Sequence, residues 1–120
     1  MLEDPSEIPA DFFARFEQAT DLPLLLVEGG WSSEMAGGTN GTPAERADFF
    51  RRIGGMLDEV AAEVWVFLLF ADLDVASYGF PPDREAALAN FSRMGIVDLD
   101  FNPKPALAVW DSFRARPIAP

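Results

Sequence analysis

The chain contains no cysteine and no histidine among its 120 residues. Their absence excludes disulfides, thiolate nucleophiles, the usual zinc sites and every Ser-His-Asp or Cys-His arrangement. Carboxylates are left as the main candidates for acid–base chemistry. Basic residues are also scarce, 9 against 20 acidic ones, and the net charge of −11 repels nucleic acid and anionic membranes. A neutral or cationic ligand suits such a surface better. No apolar run reaches the ~18 residues of a membrane span, and the first residues carry neither a basic n-region nor an apolar h-region. Neither a signal peptide nor a membrane anchor is expected.

What is present is one domain's worth of apolar residues, 49% of the chain, enough for a modest core. The organising stretch is Pro23-Leu-Leu-Leu-Val-Glu-Gly-Gly-Trp31. Its unbroken aliphatic run reads as a buried parallel strand over 24–28 that delivers Glu28 to its C-terminal end. Burying an ionised carboxylate costs several kcal/mol unless it is paired, so Glu28 reads as a site residue, against a structural ion pair or a strand-end turn.

An acidic lead over 1–9 precedes a short amphipathic helix predicted over 10–19, with Phe12, Phe13, Phe16 and Ala19 on its apolar side. After the first strand comes a polar loop over 32–41 with Gly37-Gly38 and Asn40-Gly41 as turn signals, either a cleft-shaping segment or a plain connection. Thr42-Pro43-Ala44-Glu45 is a capping box with proline at the first helical position, so a helix is predicted over 42–61. Its buried stripe is Ala47, Phe50, Ile53, Met56, Leu57 and Val60, and Gly54-Gly55 either weakens it or permits close packing.

A second strand over 64–70 is apolar on both faces and leads into Asp72. Strand, helix and strand make a βαβ unit with parallel strands ~4.8 Å apart, so Glu28 and Asp72 are expected at one end of the sheet. A further helix is predicted over 84–91, and a last one after Asn102-Pro103 carries Ala106, Leu107, Val109, Trp110 and Phe113 up to Pro117. Two parallel strands do not close a core, so the sheet needs further strands or a partner along its edges.

Four ordered pieces carry a resemblance: Leu-Pro-Leu-Leu-Leu-Val-Glu-Gly-Gly-Trp-Ser (22–32), Gly-Thr-Pro-Ala-Glu-Arg-Ala-Asp-Phe-Phe (41–50), Val-Phe-Leu-Leu-Phe-Ala-Asp (66–72) and Met-Gly-Ile-Val-Asp-Leu-Asp-Phe-Asn-Pro-Lys-Pro-Ala (94–106) with Trp110. Together, over about residues 8–113, the chain resembles the C-terminal end of a clan-A (β/α)8-barrel glycoside hydrolase. The resemblance implies an α/β fold that is part of a TIM barrel, its last two parallel βα units with flanking helices. By matching position, Glu28 becomes the nucleophile of a retaining glycosidase. Trp31 becomes a platform for a sugar face, with surface packing as its other reading. Phe67 falls near the position of a Trp that such families place beneath the sugar, and Trp65 shares its face by alternation. Core packing is the alternative role for both. Asp72 either borders the cleft or ends the strand.

The chain departs from that pattern in two respects that bear on activity: strands 1 to 6 of such a barrel have no counterpart in it, and neither has the general acid. The family's general acid is the Glu of an Asn-Glu pair, and here the asparagines precede Gly41, Phe91 and Pro103. The implied protein is therefore an incomplete catalytic domain, inactive alone, with a carbohydrate substrate if the barrel is completed and no cofactor or metal. Its partner is then the missing N-terminal barrel segment, and complete relatives are often secreted. The other reading is a non-catalytic α/β binding or assembly module that covers its sheet by self-association. Asp98-x-Asp100-x-Asn102 imitates a calcium loop, but Pro103 stands where glycine is needed, so a turn explains it better. Asn40-Gly-Thr42 and Asn90-Phe-Ser92 match the short glycosylation pattern.

Overall fold

A computed structural model describes residues 2–34, 41–60 and 62–116. Its order is a short 3₁₀ turn (Pro5–Glu7), α1 (Ala14–Glu17), β1 (Leu25–Leu26), α2 (Pro43–Glu59), β2 (Val64–Trp65), α3 (Pro82–Leu88) and α4 (Pro105–Arg114), with 3₁₀ turns at Val75–Tyr78 and Ala89–Phe91. The two strands pair in parallel, Leu25 with Val64 and Leu26 with Trp65. The expected βαβ unit is therefore present, and the fold is α/β in composition.

α2 forms where the capping residues place it. Thr42 Oγ1 accepts from the Glu45 amide at 3.1 Å, the forward half of the capping box. The helix buries Phe49, Phe50, Ile53, Met56 and Leu57. It packs along α4, and the contact is close because Gly54 has no side chain: a Cβ there would stand 2.5 Å from the Phe113 ring. The core joins Ile8 and Phe13 to the α2 stripe and to Ile96, Ala106 and Val109. Arg52 fixes the N-terminal segment to α2 by donating to the Ile8 carbonyl from Nε, at 3.0 Å, and from Nη2.

The strands are shorter than the 24–28 and 64–70 expected. The ladder stops because each strand has one neighbour, although the alternation of side chains continues along both extended segments. Leu24, Leu26, Trp65 and Phe67 lie against the helices. On the other face Leu25, Val27, Val64, Val66, Leu68 and Phe70 are exposed, from 38% for Val64 to 63% for Val27. Both faces are apolar, as the sequence indicates, and helices cover one of them.

Beyond β2 the chain is held by Val97, which bridges Ala71 in parallel and Pro103 in antiparallel fashion. Val97 N donates to Phe70 O at 3.0 Å, and Asp72 N donates to Val97 O at 3.1 Å. Gly95 lets these backbones meet, since a Cβ there would lie 2.0 Å from Asp72 N. The predicted helix over 10–19 contracts to α1 within a run of turns, because Phe12 bonds back to Pro9 and Phe16 to Phe13 in the tighter i→i+3 pattern. α3 starts earlier than expected, with Pro82 at its first position, and ends in a 3₁₀ turn at Phe91. The glycine turns at 37–38, Asn40 and the stop at Pro117 lie outside the described residues. Among the described residues no helix is long and apolar enough to cross a membrane.

Candidate functional site

β1 and β2 run in the same direction, so their C-terminal ends emerge on one side of the sheet. Glu28, two residues beyond β1, is exposed there and makes no hydrogen bond or ion pair with a described residue. Burial therefore imposes no penalty on this carboxylate. Trp31 is half-buried against Phe49, with ring centroids 5.8 Å apart, and its Nε1 is closed off without an acceptor among the described residues. That packing ties the segment after Glu28 to α2.

Phe67 and Trp65 sit on the helix side of β2. Phe67 packs 4.8 Å from Phe50 and 5.8 Å from Trp110. Trp65 lies 5.1 Å from Trp110 and 5.4 Å from Phe113. Both complete the aromatic core between sheet and helices.

Asp72 is the buried acid of the molecule, with 1% of its side chain exposed. Lys104 Nζ lies 2.7 Å from each of its carboxylate oxygens, and Gly95 N donates to Oδ1 at 2.9 Å. Arg93 Nη1 stands at 3.6 Å. Lys104 also donates to Ser33 Oγ at 2.8 Å, and Ser33 in turn donates to the Arg93 carbonyl at 2.8 Å. These bonds tie the segment after β1, the end of β2 and the entry to α4 into one buried polar cluster. Glu28 and Asp72 are thus not an open carboxylate pair: one faces solvent and the other is neutralised by an ammonium.

The same Arg93 carbonyl accepts from Arg46 Nη1 at 2.9 Å. Arg46 has no exposed surface, although it is charged, and its guanidinium lies 5.2 Å from the Phe67 ring and 5.8 Å from that of Phe50. Loss of hydration pushes its pKa down to about 10, while nearby Asp72 acts in the opposite sense. It remains a cation at neutral pH.

The residue types of this cluster were hidden in the sequence for different reasons. Arg46 lies four residues before Phe50 and seven before Ile53, which puts it on the buried stripe of α2, and that spacing was the available clue. Lys104 stands between two prolines at the start of α4, with nothing local to pair it with Asp72. Ser33 carries no pattern at all. Among the described residues no group of three or more acidic side chains is placed to hold a metal ion.

The fold and the site define an α/β protein whose parallel strands are helix-covered on one face and open on the other, with the Glu28 carboxylate at the strand ends unpaired among the described residues. No family model matches the chain, and neither a curated protein nor a solved structure matches it.

Proposed function

We propose that this chain is the C-terminal part of a retaining glycoside hydrolase barrel acting on β-linked polysaccharide or oligosaccharide, with Glu28 as its nucleophile. The observation that supports this reading is the uncovered apolar sheet face of six residues, with Glu28 at its C-terminal rim. A parallel sheet with helices on one side only has the geometry of a barrel wall, whose inner face is filled by the remaining strands. Catalytic groups of such barrels stand at the C-terminal strand ends.

In that setting the Glu28 carboxylate attacks the anomeric carbon while a second carboxyl group, ~5–5.5 Å away, protonates the departing oxygen. Water, activated by that second group, then cleaves the glycosyl-enzyme and restores Glu28. Asp72 is unsuited to the second role because both its oxygens are held by Lys104. The acid therefore comes from outside these residues, and the chain alone is expected to be inactive.

Complementation tests the proposal: the preceding six βα units of a clan-A hydrolase are co-produced with this chain, and hydrolysis of aryl β-glycosides is followed. Hydrolysis that is lost in Glu28→Gln, with a fluorinated glycosyl fluoride trapped on Glu28, is the expected result. Hydrolysis undiminished in Glu28→Gln, or a label on another residue, would refute the assignment.

A second reading, a non-catalytic module that self-associates through the same open face, is favoured by the internal engagement of Trp65, Phe67 and Asp72. It predicts a defined oligomer that is complete without any added segment.

A further inference from the structure

The chain leaves the β2 segment at Asp72 and soon enters the 3₁₀ turn Val75–Tyr78. That turn follows the C-terminal end of β2, the side of the sheet where Glu28 emerges, because the two strands are parallel. Tyr78 ends the turn with 60% of its surface exposed. Its ring stacks on that of Phe80, with centroids 5.6 Å apart and planes 17° from parallel. The Arg84 guanidinium lies over Phe80, 5.9 Å from its centroid.

The backbone holds this stack in place. Val75 is buried, and Ser77 Oγ donates to the Asp74 carbonyl at 2.7 Å. Gly79, at φ 64°, takes the left-handed conformation that turns the chain between the two rings. Pro81 and Pro82 then stiffen the entry to α3. The turn residues Val75 and Ala76 also wall a depression of about 220 Å³ that carries Asp74 and Glu85. Neither of these carboxylates makes a hydrogen bond or ion pair with a described residue.

An exposed, fixed ring beside carboxylate oxygens suits a ligand with one apolar face and hydroxyl donors around its edge. A pyranose has that form, and being neutral it is not repelled by the net charge of −11. We infer that the Tyr78–Phe80 stack is a sugar-binding platform, a subsite on which one unit of a β-linked oligosaccharide rests. The choice of a β-linked glycan rests on the glycosidase reading, whereas the platform itself makes no use of Glu28.

Tyr78 is the single tyrosine of the chain, so a tyrosine-labelled protein gives one set of ring resonances in NMR. The full chain is titrated with the pentaoses of cellulose, laminarin, mannan and β-galactan, with glycerol as the control. At least one pentaose is expected to shift the Tyr78 signals to saturation. Broadening of the sugar's own resonances then reads the variants: Tyr78→Phe binds within about twofold of the wild type, and Tyr78→Ala is weakened about tenfold or more. Tyr78 lies outside the core, so both variants are expected to fold, and the wild-type ring signal decides without them. No shift with any pentaose, an equal shift with glycerol, or unchanged affinity in Tyr78→Ala would overturn the platform. A shift that persists in Glu28→Gln, with no hydrolysis on complementation, would uphold the platform and sink the nucleophile assignment. Hydrolysis that requires Glu28, with a silent Tyr78 ring, would do the reverse.

Discussion

Replacing Lys104 with methionine removes one charge from a buried pair and keeps most of the apolar stem. The Asp72 carboxylate then retains the Gly95 amide at 2.9 Å and the Arg93 guanidinium at 3.6 Å, a distance too long for a hydrogen bond. Breaking a buried pair by removing one partner costs ~3–5 kcal/mol, and the surviving contacts place Lys104→Met near the lower limit, at ~3 kcal/mol. With ~4 °C per kcal/mol for a chain of this size, Tm falls by ~12 °C. Asp72→Asn keeps an acceptor for Gly95, and Lys104 keeps Ser33, so its cost is smaller, ~2 kcal/mol. The double variant removes both charges of the pair, and its cost falls short of the sum by ~2 kcal/mol. Urea denaturation of the four proteins measures the cycle. Additive losses, or a Lys104→Met protein within ~0.5 kcal/mol of the wild type, would refute the claim that this pair fastens the sheet end to α4.

Other substitutions separate neighbouring residues by sign. Gly54→Ala is expected to destabilise by ~1–3 kcal/mol as its Cβ displaces the Phe113 ring, whereas Gly55→Ala, with nothing within 4 Å, should stabilise by ~0.5–1 kcal/mol; thermal melts of both variants check this. Thr42→Ala removes the acceptor of the Glu45 amide and should cost ~1 kcal/mol in urea denaturation. Asp98 is held below the ordinary carboxylate range, first by the Asn102 side chain and then by backbone amides. A lowered folded-state pKa gives stability that is present above the unfolded value and is lost as pH falls through the folded one. Asp98→Asn should therefore flatten the acid side of a Tm-against-pH profile below about pH 4 and leave its alkaline side unchanged.

Much of the scaffold was legible because its determinants are local. The capping box and Pro43 fixed the start of α2, and the period of Phe50, Ile53 and Leu57 fixed its buried side. The parallel pairing followed from a helix lying between two apolar runs. The Asp98 turn was readable too: its Oδ1 accepts from the amides of Asp100 and Asn102, at 2.9 and 2.8 Å. Strand length was less readable, since a ladder depends on neighbours that periodicity does not count. The polar cluster was the least readable part, because Ser33, Arg46, Asp72, Arg93 and Lys104 meet only through the fold. An acid after an apolar strand drew attention to Glu28, yet the buried acid is Asp72, and only the ammonium supplied 32 residues later makes its burial affordable.

The central claim is that the open face formed by Leu25, Val27, Val64, Val66, Leu68 and Phe70 is a surface that requires a cover. Sedimentation of the purified chain, with a hydrophobic dye added in parallel, tests it most directly. The account predicts either self-association that Val66→Lys abolishes, or a monomer that binds the dye and loses that binding when further barrel strands are supplied. A monomer that binds no dye and unfolds in one sharp transition would contradict it.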